Sequence, residues 1–179
     1  MLHAAIDACI QARETHDIDP AAVSKLIVRV HPIVTQITAI AAPATGLESK
    51  FSVFHAGAVA FLDGTAGEAQ FSDARAAAPD VIALRSKVEA VPEPEFRRDQ
   101  AHVRIIMADG REHEVMVEHA RGTLRNPLSD AALEEKFRSQ AEGRLTADAT
   151  QASVDLCWGI EALDDVSRLA RAAAGRERA

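Results

Sequence analysis

Two runs of alternating apolar and polar residues, HVRIIMA from His102 and REHEVMVE from Arg111, meet at Asp109-Gly110. An Asp-Gly pair between such runs is the strongest local signal for an antiparallel hairpin, because glycine enters the left-handed turn region without a Cβ penalty. Register then decides what is buried. A strict two-residue turn sets Val103 opposite Met116 and turns Val115 and Val117 away from Ile105. A loop one residue longer, with Gly110 as a left-handed bulge, gathers Val103, Ile105, Met107, Val115 and Val117 on one face. Since a one-residue slip would expose that whole set, the longer loop is expected.

The hairpin needs further strands and a cover. LIVRV at 26–30 is rich in β-branched residues and ends before Pro32, which reads as a strand, and Lys87 to Val91 reads as another, closed by Pro92 and Pro94. Asp19-Pro20 has the form of a cap followed by a first-turn proline, so a short helical turn over Pro20 to Ser24 is expected. Ile33 to Gly46 carries no clear period and reads as a surface loop, with room for one short extended piece. Glu48 to Asp63 places Phe51, Phe54, Ala58, Phe61 and Leu62 along one helical face, ending at Gly64, where a C-cap glycine belongs. Shorter helical stretches follow at Glu68 to Phe71, Asp73 to Ala77 and Asp80 to Ser86. Ser129 caps a helix with Leu133, Phe137 and Ala141 as its buried stripe, and Gln151 to Ala174 reads as one long helix. The order is helix, strand, helices, three strands, helix, helix. The fold class is therefore α+β: a small antiparallel-type sheet of about four strands packed with helices.

Composition supports a packed chain and narrows its partners. Of 179 residues, 47% are hydrophobic and 26% charged, which is the range of globular domains. Aromatic residues make up only 4%, so much of the packing must come from aliphatic contacts and close helix approach. The formal charge of −7 disfavours a nucleic-acid partner, because phosphate neutralisation needs a clustered basic surface. Arg97 with Arg98, and Arg168, Arg171, Arg176 and Arg178, read as solvated charge. Cys9 and Cys157 lie far apart with no metal-ligand spacing, which fits a reduced chain and no metal. No apolar run has membrane-spanning length, and the amino terminus lacks a secretory pattern, so no membrane partner and a cytoplasmic location are expected. Leu2, Ala5, Ile6, Cys9 and Ile10 recur at helical spacing with no capping signal before them. A helix without a start points to a longer parent chain.

Three segments together resemble the MmgE/PrpD family: HAAIDA at His3 to Ala8, TGLESKFSVFHAGAVAFLDG at Thr45 to Gly64, and RNPLSDAALEEKFR at Arg125 to Arg138. The family includes 2-methylcitrate dehydratases, cis-aconitate decarboxylases and iminodisuccinate epimerases. The resemblance implies an all-helical domain, formed mostly by the first half of such enzymes, and a smaller α+β lid inserted before the final helices. On that reading 1–18 is a helix of the helical domain, 19–145 the lid and 146–179 the closing helix. It further implies cofactor-independent proton removal beside a carboxylate of a small di- or tricarboxylic acid. A homodimer is expected in any case, since the apolar stripes of the first and last helices need cover. Most acid/base groups of such a site would lie outside this chain, so no complete catalytic set is expected here.

Chemistry of that kind needs cations to hold carboxylates. Lys50, at the expected start of the main helix, is a candidate carboxylate grip, where free backbone N–H groups also favour anions. An exposed first-turn lysine is the plain alternative. Ser52 could donate to the same anion or bond its own helix backbone. His55 could face the interdomain cleft or rest half-buried against an apolar face. His3 belongs to the first motif, near the junction of lid and helical domain. Arg121 and Arg125 flank Gly122 and are expected to contact the helical domain. His102, His113 and His119 show no ligand spacing and read as surface residues. A self-association module built on the apolar faces of the terminal helices is the competing reading.

Overall fold

The computed structural model describes residues 1–175. Helix α1 (His3–His16) leads through a 3-10 turn at Pro20–Ala22 into strand β1 (Val23–Val30). Five short helices follow: α2 (Pro32–Ile37), α3 (Gly46–Ser49), α4 (Val53–Asp63), α5 (Asp73–Ala76) and α6 (Pro79–Arg85), with a 3-10 turn at Glu68–Phe71 between α4 and α5. Strands β2 (Val88–Pro92), β3 (Ala101–Met107) and β4 (Glu112–Val117) complete the sheet. Helices α7 (Asp130–Ala141), α8 (Ala147–Trp158) and α9 (Ser167–Ala172) close the described chain. The fold is α+β.

The sheet runs in the order β2-β1-β3-β4. The β1–β3 and β3–β4 pairs are antiparallel, but β1 and β2 run parallel, so the expected antiparallel sheet is in fact mixed. The hairpin takes the longer loop: Val103 faces Val115, Ala101 faces Val117, and Met107 N–H donates to Arg111 O at 2.8 Å. Gly110 sits at φ +85°, the left-handed conformation that this turn requires.

One sheet face carries Leu26, Val28, Val30, Val103, Ile105 and Met107, all buried. Against it lie α1 and α4. The α1 stripe Ala4, Ala5, Ala8, Cys9 and Ala12 is made of small side chains, which allows α1 to approach both α4 and the sheet closely. Arg13 donates to Phe61 O at 2.9 Å, tying α1 to the carboxyl end of α4. On the opposite face charges alternate with strand period, among them Arg29 with Glu93 at 2.5 Å and Lys25 paired with Glu89.

Three local expectations are corrected. Ile33 to Gly46 does not form a single loop, because Pro32 starts α2 with His31 Nδ1 capping Ile33 N–H at 3.0 Å. The helix expected over Glu48 to Asp63 is broken. Ala39 bridges Ser52, and Val53 N–H donates to Thr38 O at 2.9 Å, so the chain is extended between α3 and α4 and Phe51 is 46% exposed. The long last helix is likewise interrupted after Trp158, where Gly159 introduces a 3-10 turn at Ile160–Ala162. Arg176 and Arg178 lie outside the described residues.

The chain divides into two compact units, Met1–Pro127 and a second from Leu128 onward. The first contains the sheet together with α1 to α6. In the second, Ser129 caps α7 as expected, while Trp158 Nε1 on α8 donates to Glu134 Oε1 on α7 at 2.9 Å.

Candidate functional site in the first unit

The broken α3–α4 junction is what creates a site. Thr45 caps α3 through Glu48 N–H, and α3 ends at Lys50, its C-cap. Lys50 is therefore not at the start of the main helix. Ser52 holds that place instead, with its hydroxyl accepting from His55 N–H at 3.0 Å. The backbone cap is thus the role the structure shows for Ser52, which is fully buried. Between the two helices the extended turn carries Lys50 and Phe51 outward beside Ile37 and Thr38.

There they line an open hollow of about 300 Å³ whose other walls are Met1, Leu2, His3 and Ile6 of the α1 segment, with Ala66 and Phe71. Two of the four residues expected to bind substrate, His3 and Lys50, thus share one concavity with apolar walls. Lys50 is exposed and makes no ion pair within the described residues. An ammonium beside apolar side chains attracts an anion more strongly than one in open water, because the local dielectric is lower.

His55 is placed differently. It is fully buried, 0% exposed, and does not line the hollow. Its ring packs on Phe71 with centroids 5.6 Å apart, and Nε2 donates to Gln70 O at 2.8 Å, while Nδ1 has no partner. Burial pushes its pKa down, and the Arg85 and Arg75 charges push the same way against the opposing Gln70 bond and the Asp63 charge. An unfolded imidazole takes up a proton below its ordinary value of about 6.5, and the folded ring lags behind. Stability from this group is complete above that pH and is lost as the pH falls below it, at no more than about 1.4 kcal/mol per pH unit. Urea midpoints are expected to decline between about pH 7.5 and 5.5, with His55→Gln flattening that slope. An unchanged slope would assign the effect elsewhere. Asp80, lowered by Arg75, and Asp99, lowered by His119, act at more acidic pH. Both favour the folded state above the ordinary carboxylate range and lose that effect as acid titrates them.

Arg121 and Arg125 do not reach the hollow's lining. Arg121 N–H donates to Asp7 Oδ2 at 2.7 Å, so its loop is tied to α1 through the backbone, and both side chains are exposed. The hairpin histidines are half-buried rather than on open surface. His113 stacks against His16 with centroids 4.5 Å apart, and His119 Nδ1 lies 2.6 Å from Asp99 Oδ2. His102 lies 3.5 Å from Glu114. Ile37, Ala66 and Phe71 were not legible as wall residues, since nothing local links three apolar side chains from three separate turns.

Human (Homo sapiens) cis-aconitate decarboxylase is 28% identical to this chain over 131 residues, which is 71% of the chain and 27% of that protein. The chain thus spans about a quarter of the length of the curated relative it matches. A family profile described as the MmgE/PrpD C-terminal domain matches residues 1–160, and by that match, which takes in the whole first unit and all of α7 and α8, the chain belongs to the MmgE/PrpD family.

Proposed function

We propose that this chain is the carboxyl-terminal portion of a cofactor-independent lyase or isomerase acting on a small di- or tricarboxylic acid, and that it does not turn substrate over by itself. The observation that supports the reading is the hollow, which Lys50 and His3 both line together with apolar side chains, in a chain of this family. Lys50 would hold a carboxylate as a point charge, and His3 would add a donor or accept a proton at the other side. Leu2, Ile6, Phe51 and Phe71 would keep water from the reacting carbon and strengthen both contacts. Acid/base groups beyond these would come from a helical portion that packs over the hollow, with 19–145 acting as lid and 1–18 and 146–179 joining the helical part. Among possible outcomes, loss of carbon dioxide has the support of the relative's name, whereas loss of water and epimerisation rest on the family alone. A cytoplasmic homodimer is the form we propose for the complete enzyme.

The purified chain is expected to show no turnover of 2-methylcitrate, cis-aconitate or iminodisuccinate, and co-expression with a matching helical portion should restore one of these activities. In the restored enzyme Lys50→Met should raise KM about tenfold, the weight of one charge-assisted contact. Vigorous turnover by the chain alone, or an unchanged KM, would sink the reading.

A further inference from the structure

Histidine 55 presents a physical problem that neither the core nor the hollow explains by itself. A polar ring at 0% exposure costs free energy unless its nitrogens are bonded, and here only one is. Because Nε2 donates to a carbonyl oxygen, Nε2 carries the hydrogen and Nδ1 is bare. Any compensation for burying the ring must come through Gln70.

Gln70 is bound at three points. Its carbonyl accepts from His55 at 2.8 Å, its side-chain Nε2 donates to Asp63 Oδ2 at 3.1 Å, and its Oε1 accepts from Gly67 N–H at 3.0 Å. Asp63 in turn holds Arg75, at 2.5 Å from Nη2. The next residue is Phe71, whose ring walls the hollow and packs on His55. Two residues further, Asp73 Oδ1 accepts from Gly46 N–H at 2.6 Å, at the first residue of the helix that ends in Lys50. One continuous set of bonds therefore runs from the buried ring through the 68–73 turn to the base of α3.

We infer that His55 is a positioning residue: through its Nε2–H to Gln70 it holds the 68–73 turn, and with it Phe71 and the α3 segment bearing Lys50, in the geometry that shapes the hollow. It acts behind the wall and touches no ligand. The charged groups facing it are Arg75 on α5, Arg85 on α6 and Asp63 on its own helix; burial first, and then the two arginines, disfavour protonation of the ring, while the Gln70 carbonyl keeps the hydrogen at Nε2. The inference rests on the proposed reading of the hollow for its functional meaning, but its test uses no carboxylate, so the two can fail separately.

Hydrogen exchange on the full chain decides it. His55→Phe preserves ring volume without the donor, His55→Asn places its amide near the Nδ1 position, and His55→Gln places an N–H near the Nε2 position. In the Phe and Asn variants, amides of 68–73 and 46–49 are expected to exchange about tenfold faster while β1 and β3 amides hold their rates, with His55→Gln restoring most of the protection. Equal acceleration across all segments, or no rescue by Gln, would reduce His55 to core filling and overturn the proposal. Should a variant fail to fold, nitrogen-15 spectra of the unsubstituted chain still judge it. Hydrogen on Nε2, bonded to the Gln70 carbonyl, supports the latch, and a ring whose only hydrogen is on Nδ1 refutes it.

Discussion

Phe61→Ala is expected to destabilise the first unit by about 3–5 kcal/mol. Phe61 is fully buried on α4, in a core whose other buried members are alanines and aliphatic side chains with Cys9 and Met107. Few neighbours are large enough to collapse into the space, since α1 presents Ala4, Ala5, Ala8 and Ala12 to this region. The transfer loss and the residual cavity therefore add rather than offset one another. Urea unfolding would show it as a drop in midpoint at constant slope. A loss below about 1.5 kcal/mol would mean that α4 relaxes into the gap and that the core is softer than its burial implies.

Gly46→Ala should cost about 3 kcal/mol, at the upper end for adding a single methyl. A Cβ there would sit 2.3 Å from Phe71 O and 2.9 Å from the Ser72 carbonyl carbon. These are backbone atoms and cannot swing aside as a side chain would. Either α3 or the 68–73 turn must move, and both carry walls of the hollow. The substitution is thus expected to lower the urea midpoint and to shift the Lys50 and Phe71 amide resonances together, while the hairpin resonances stay in place. Full stability in the variant would show that the close approach is not maintained in solution.

How much of this was legible beforehand depends on how local the physics is. The hairpin could be read completely, including its register, because the Asp109-Gly110 turn marks where the chain reverses and the alternating flanks choose between the two registers it allows. Ser129 and Gly64 could be read as helix ends for the same reason: a cap is decided within a turn. The break before α4 could not. Phe51 has helical spacing from Phe54, and what turns it outward is the bridge between its neighbour Ser52 and Ala39, far back along the chain. Helix α2 was missed because only Pro32 and the unusual His31 cap announce it. Gly159, by contrast, was a visible breaker inside an apolar run that was read as continuous. At the candidate site, residue types were readable and their company was not. Lys50 and His3 stand out as cations or donors in motifs, yet their meeting in one hollow depends on tertiary packing, as does the burial of His55 behind Phe71.

The parallel pairing of β1 with β2 bears on how the molecule assembles itself. Leu26 can meet Val88 only after everything from His31 to Lys87 has been arranged, whereas β3 finds β4 across a three-residue loop. Closing the long connection comes at a far greater entropic cost, so the hairpin is the fast event and the parallel seam the slow one. The concavity at Lys50, whose Phe51 and Phe71 walls belong to that connection, is then among the last features to mature, and a nascent chain that has not yet delivered Val88 displays its aliphatic strand edge to whatever chaperone is near.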